Sequence, residues 1–257
     1  MHINKKTGRY ILIFDKYNVE SPNLRLIKSF SFQRAINNPG YANFQGEKLN
    51  NQRRTGQRTM ATKGTQTRRN IIENSLQLFS VKGYFNTPIS DILDATGLTK
   101  GGLYGHFASK EDIWYAVYDE AVSIWKGIVF NGIRNNSDPL KRIEKFIEND
   151  MYDYLGTDVF EGGCFFLNML VELSGQSASM SKQILRGFVR LSSLLRSWLE
   201  EADQKGMLQT GLDFKEIANF IIITLNGAAA LYISSRDRSI LENTIRQLRF
   251  YINQLKK

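Results

Sequence analysis

The chain has 257 residues, a hydrophobic fraction of 42% and a formal net charge of +9, values ordinary for a chain that buries a real core. One cysteine, Cys164, excludes an intrachain disulfide framework and fits a reducing cytoplasm; with only His2 and His106 beside it, no zinc spacing or other metal site is expected. The charge belongs to one segment: residues 1–59 carry 11 Lys and Arg against 3 Asp and Glu, and the other 198 carry 23 against 22, so charge alone gives the rest no reason to meet nucleic acid.

Residues 1–59 stand apart. Residues 10–14, Tyr-Ile-Leu-Ile-Phe, read as a short strand, whereas 37–58 are rich in Asn, Gln, Gly and Arg without apolar periodicity and read as disordered. The apolar run is too short for a signal-peptide core, and no small-residue cleavage site follows it. Met60-Ala-Thr-Lys is expected to be the translation start, with 1–59 an upstream extension. The alternative is a basic arm that tracks phosphates or enters a groove.

From Met60 the pattern is amphipathic helices joined by short turns, without strand-like alternation, so the fold class is all-α. Ile71, Ile72, Ser75, Leu76, Leu78 and Phe79 define one face of a first helix that ends at Gly83. Thr87 before Pro88 predicts a cap and first position for a short helix over 88–96. Gly97-Leu98-Thr99 then makes a tight turn, and Thr99 caps a second short helix over 100–107. Two short helices around a glycine-containing turn form a helix-turn-helix, whose second helix enters the major groove. Gly101 and Gly102 each weaken that helix by about 1 kcal/mol relative to alanine, which suits a backbone that must approach something closely. Lys100, Tyr104, His106 and Lys110 supply donors at helical spacing, although any one of them alone reads as a solvated face.

Further on, Ser109 with Asp112, Asp138 with Pro139, and Asp213 with Glu216 mark helix starts. Helices are predicted over 112–130, 139–155, 163–173, 179–206, 213–234 and 236–255. No run of eighteen apolar residues appears, the nearest, 220–233, being broken by Thr224 and Asn226, so no membrane span is expected. The helix over 213–234 is apolar around much of its circumference and carries Asn226-Gly-Ala-Ala-Ala230. With 236–255 it reads as half of a two-fold four-helix interface, the alternative being an intramolecular core helix.

The stretch Phe79-x3-Gly83-Tyr84-x2-Thr87, then Ile89-x2-Ile92-x2-Ala95-x-Gly97-Leu98-Thr99-Lys100-Gly101-x-Leu103-Tyr104-x-His106-Phe107-x-Ser109-Lys110-Glu111, resembles the DNA-binding signature of the TetR family of bacterial transcriptional regulators. The resemblance implies a DNA-binding head over 60–112, and a helical ligand-binding and dimerisation body over 113–257. It implies a cytoplasmic homodimer joined through 213–255, whose partners are double-stranded operator DNA and a small-molecule effector. It implies DNA contacts by Thr99, Lys100, Gly101, Gly102 and Tyr104, with His106 and Lys110 at the phosphates and Thr87 near the backbone. Ser75, Leu93 and Gly102 depart from the family's usual residues, which bears on sequence preference. Tyr104 and Phe107 also serve a small core, Phe107 chiefly so.

Cys164 in Glu161-Gly-Gly-Cys-Phe-Phe is read first as a buried small hydrophobe. A helix N-terminus there would lower its pKa, and a similar Gly-Cys segment occurs in a branch of the family that includes electrophile and redox sensors. Trp125, Phe146, Tyr152, Phe165, Phe166, Phe188 and Trp198 are candidates to line an effector cavity with it, and equally to fill a core. The expected function is ligand-relieved repression, with activation as the variant. An enzyme is not expected, because phosphate loop, zinc spacing and nucleophile elbow are all missing from the sequence; no cofactor is expected either. A protein-interaction module is the remaining rival.

Overall fold

The computed structural model describes residues 62–257, so the expectations for residues 1–59 and for Met60 fall outside the described residues. Among the described residues there are nine α-helices, one π-helix and no strand. The head comprises α1 (Lys63–Lys82), α2 (Ile89–Thr96) and α3 (Lys100–Tyr104). The long α4 (Lys110–Val129) leads into the body. There α5 (Pro139–Glu148) runs into the π-helix (Asn149–Leu155), followed by α6 (Phe165–Leu173), α7 (Ala178–Gln204), α8 (Phe214–Ser235) and α9 (Arg238–Gln254).

The helix starts follow from short side chains that satisfy the first free N–H groups, each worth about 1 kcal/mol. Ser109 accepts from Asp112 N, Asp138 from Leu140 N and Lys141 N, and Asp213 from Lys215 N and Glu216 N. The start of α2 differs from the prediction. Thr87 is fully buried and its hydroxyl donates to Gly83 O at 2.7 Å, so Pro88, one residue on, takes the cap position. The predicted single helix over 139–155 is also corrected, because its last two turns slip into i→i+5 register. Asn149, 1% exposed, holds that slip by donating to Val129 O and Asn131 O at the end of α4.

The core runs without interruption from head to body. Ile71, Phe79, Ile92 and Leu103 join Trp114, Val117, Ala121 and Ile124 of α4, whose buried stripe continues into contact with α5 and the π-helix. In the body α7 packs on α5, α6 and α8, and α8 packs on α9. By length and composition alone α8 is long and apolar enough to cross a bilayer. That is weak ground for a span, since its Ile221, Leu225, Ala228 and Tyr232 are buried in the protein core. Its other side leaves Phe220, Ile223 and Leu231 exposed, and Phe250 of α9 is exposed as well.

One loop docks the body onto α1. A Cβ on Gly162 would stand 1.7 Å from Ser80 O, a backbone atom that cannot move alone. Gly162→Ala should therefore lift this loop off α1 and lower unfolding free energy by about 1–3 kcal/mol, the usual cost of overpacking. Urea denaturation of the variant beside the parent measures it, and an unchanged midpoint would refute the close contact.

Candidate functional site

The head builds its outer surface from a turn and one short helix. Gly97 takes a left-handed conformation (φ 69°) that closes α2, and its N–H returns to Leu93 O. Thr99 then caps α3, its hydroxyl accepting from Gly102 N at 3.2 Å. Leu103 and Phe107 are buried beneath and fix the helix to the core. Thr99, Lys100, Gly101 and Tyr104 stand exposed on the outside, and Gly102 and His106 are half-buried beside them. A Cβ on Gly101 would meet nothing within 4 Å, so packing within the protein gives no reason for glycine there. His106 lies against the first turn of α1, where a Cβ on Gly64 would be 3.8 Å from its Cε1. Arg68 of α1, not singled out from the sequence, sets its guanidinium 4.7 Å over the Phe107 ring and so joins this surface.

Two of the sequence candidates lie elsewhere. Thr87 is buried with both its hydroxyl and its N–H bonded to the preceding turn, which removes it from any DNA contact in this conformation. Lys110 holds its ammonium 4.3 Å over the Tyr84 ring, with Glu172 and Asp91 nearby, and burial lowers its pKa. It braces the α1–α2 turn rather than standing free.

That turn is also gripped from the body. Glu172, near the end of α6, accepts from Tyr84 N at 2.9 Å through Oε2 and from Phe85 N at 2.8 Å through Oε1. Gly83, at φ 83°, gives the carboxylate its room, since a Cβ there would be 2.7 Å from both oxygens. The sequence signal for Glu172 is that it is the single charged residue of Phe165–Leu173, which periodicity alone does not single out.

The N-terminal end of α6 meets a cavity of about 440 Å³ between α4, the π-helix, α7 and α8. Of the residues proposed for it, Trp125, Cys164, Phe166 and Phe188 line it, whereas Trp198 packs behind Phe130. Phe146 and Phe165 are buried one layer outward, packed edge-on behind Trp125 and Phe166, and Tyr152 is 40% exposed on the outer side of the π-helix. Trp198 and those three are corrections, since helical spacing cannot tell a cavity wall from the core behind it. Tyr118, Phe130 and Asn226 line the cavity as well, and so do three residues of the π-helix, Asp150, Tyr154 and Leu155.

The polar groups of this cavity are desolvated. Burial pushes the Asp150 carboxyl up to about 6 from 3.8, opposed by the hydrogen bond that Trp125 Nε1 donates to Oδ1 at 3.1 Å. Burial also raises Tyr154, whose Oη finds no partner of good geometry and faces the Cys164 thiol. Burial pushes Cys164 up to about 11 against the opposing pull of the Leu167 and Phe166 backbone. Burial thus opposes the activation by a helix N-terminus that the sensor alternative requires.

Comparison with known proteins agrees with both halves. Residues 71–117 match the family model for bacterial regulatory proteins of the tetR family, and 139–248 match that for the tetracyclin repressor-like C-terminal domain. An uncharacterised HTH-type transcriptional regulator of Lactococcus lactis subsp. lactis is 30% identical over 181 residues, covering 69% of this chain and 88% of that protein. The HTH-type transcriptional repressor DhaR of a Mycobacterium species is 26% identical, with the same coverage of 69% and 88%. The crystal structure of a TetR transcriptional regulator from Chloroflexus aurantiacus superposes with a TM-score of 0.71 at 29% identity, covering 76% of this chain and 98% of that one.

A carboxyl with a raised pKa makes stability depend on pH. Between 3.8 and about 6 the folded protein keeps a proton that the unfolded chain has released, so this group's contribution is full at low pH and is lost as pH rises through 6. Asp150→Asn keeps the acceptor for Trp125 and cannot ionise. It should match the parent near pH 4 and exceed it by about 1–3 kcal/mol at neutral pH, the solvent that reaches the half-buried carboxylate reducing the full effect. Denaturation of both proteins across that range is the check, and a stability difference that does not change with pH would contradict the assignment.

Proposed function

The chain belongs to the tetR family of bacterial regulatory proteins, and from that premise we propose that it is a ligand-responsive repressor, cytoplasmic, that holds a near-palindromic operator as a homodimer and releases it when a small molecule fills the cavity. Repression rather than activation is favoured by a relative, DhaR, whose name says repressor. The observation that carries the ligand response is the placement of α6. Cys164 and Phe166 at one end wall the cavity, and about 12 Å along, at 1.5 Å per residue, Glu172 grips the head. A molecule that pushes on the first end displaces a short rigid rod whose other end sets the α1–α2 turn. The operator-competent arrangement then loses population by as much as the ligand prefers the other one. Couplings of this kind run to about 1–3 kcal/mol, or roughly 5- to 150-fold in affinity.

In the DNA complex, Thr99, Lys100, Gly101, Gly102 and Tyr104 would face the major groove, with His106 and Arg68 toward the phosphates. Two heads on a two-fold axis would read half-sites about one helical turn apart or a multiple of it. The dimer contact assigned here is residues 213–255. Phe220, Ile223, Gly227, Ala230 and Leu231 recur three or four apart on the exposed side of α8, and the Phe220 ring lies 4.9 Å from Tyr251 of α9. Small residues at 227 and 230 let a partner helix approach closely.

Selection of genomic fragments by the purified protein tests the reading. The expected result is a short near-palindrome, bound with an affinity that falls steeply with salt as phosphate contacts are screened. Gly101→Ala should leave the fold intact, or firmer by up to about 1 kcal/mol, and still weaken that binding, because the new methyl group stands where DNA backbone would approach. Equal, weak binding to every fragment would overturn the proposal. A charge on the stripe, as in Ile223→Arg, should convert the dimer to a monomer in sedimentation with helix content retained. A dimer that persists would place the interface elsewhere.

A further inference from the structure

The cavity's polar groups say more than that something small binds there. Asp150 is the acid that burial perturbs, and among the described residues its carboxylate has one hydrogen bond, from Trp125 Nε1, and no ion pair. An ionised carboxylate can accept about four hydrogen bonds. The carboxylate is half-buried at the cavity wall, so an occupant that displaces water from it must supply that capacity or leave the charge uncompensated. The walls around it are rings: Tyr118, Trp125, Phe130, Tyr154, Phe166 and Phe188. Their faces are electron-rich and attract cations, all the more in a desolvated site. Trp125 is held in edge contacts with Phe130 and Phe166, so the pocket is shaped before anything enters. The basic lining residues, Lys126 and Arg190, are exposed to solvent, as is the acidic Asp119, which leaves the rim with one net positive charge in contact with solvent and the interior with a single negative site.

We propose that the effector is an organic ammonium with an apolar, aromatic body, its positive nitrogen set against Asp150 and its rings among Trp125, Phe166 and Phe188. The proposal rests on the effector reading of the cavity given above and deepens it. An anion would meet the Asp150 charge without a buried basic partner. A neutral molecule would fill the volume while leaving the carboxylate uncompensated. The Tyr154 hydroxyl, buried without a partner, offers a second polar contact close to the first.

Three probes of one size separate these cases: 3,3-diphenylpropylamine, 3,3-diphenylpropan-1-ol and 3,3-diphenylpropanoate, carrying a positive, a zero and a negative charge. Each is titrated into the full chain without DNA, by calorimetry and by intrinsic tryptophan fluorescence, of which Trp125 is the source at the cavity wall. The amine should bind at least about tenfold tighter than the alcohol, the fold-change of one charge-assisted hydrogen bond, and the acid weakest. Asp150→Asn should erase the amine's advantage while the alcohol binds as before, which also shows that the variant is folded. The parent supplies a second reading that needs no variant. Amine affinity should fall from about pH 8 to about pH 5 as Asp150 takes up its proton, and alcohol affinity should not. The other titratable or charged groups facing this site are Tyr118, Asp119 and Lys126 of α4, Tyr154 of the π-helix, Cys164 before α6 and Arg190 of α7. An alcohol that binds as tightly as the amine, or an Asp150→Asn variant with the amine's advantage intact, overturns the ammonium assignment and leaves the cavity as the effector site. Failure of all three probes overturns it as well, and the operator measurement then tells independently whether the regulator reading survives.

Discussion

A carboxylate holding two consecutive backbone N–H groups across a domain boundary is the interaction on which this architecture turns. Glu172 brings no hydrophobic area of note to the contact; it satisfies donors of the α1–α2 turn that the turn's own geometry leaves free. Charge-assisted bonds of this kind are about twice as strong as neutral ones, and they are directional. The head is therefore placed by a few polar atoms as well as by the broad packing of α1 on α4. Packing resists separation, whereas a polar grip resists rotation. Rotation is the motion that would change the spacing of two recognition helices.

The other end of α6 is built on the opposite principle. There the groups are desolvated and under-satisfied: an acid with one hydrogen bond, a tyrosine hydroxyl without a partner, a thiol whose pKa burial raises. Asp150 and Tyr154, four residues apart, share one face of the π-helix and so meet the same cavity. A protein optimised only for stability would have filled that space with leucine. Polar groups left short of partners inside an apolar shell are a standing cost that an occupant can remove.

Much of the head was legible in the sequence, because its features are local. Gly97, Thr99 and Ser109 each act on the few residues around them, and each cap was found where the pattern put it. Thr87 misled because the same residue type that caps a helix can also turn back and bond the preceding turn, and only burial decides between the two. The body was legible as helices and no further. Phe146 and Phe130 have the same chemistry and lie on neighbouring elements, yet one is core and the other cavity wall. Asp150 and Glu172 owe their roles to partners 25 and nearly 90 positions away, which no periodicity reports. The π-helix leaves no compositional mark that separates 149–155 from the turns before it.

Helix α8 has a double allegiance. Ile222, Leu225, Asn226 and Ala229 wall the cavity, while Ile223, Gly227, Ala230 and Leu231 stand exposed on the same helix. A single rod of side-chain-clad diameter near 10 Å thus separates the interior of the protomer from any copy seated on that stripe. In an assembly formed there, the two cavities would share a thin partition, and filling one would alter the wall of its twin. The occupancy of such a pair is not two private equilibria. It would be described by a Hill coefficient away from one, and a half-filled assembly would be asymmetric even though its two chains are identical.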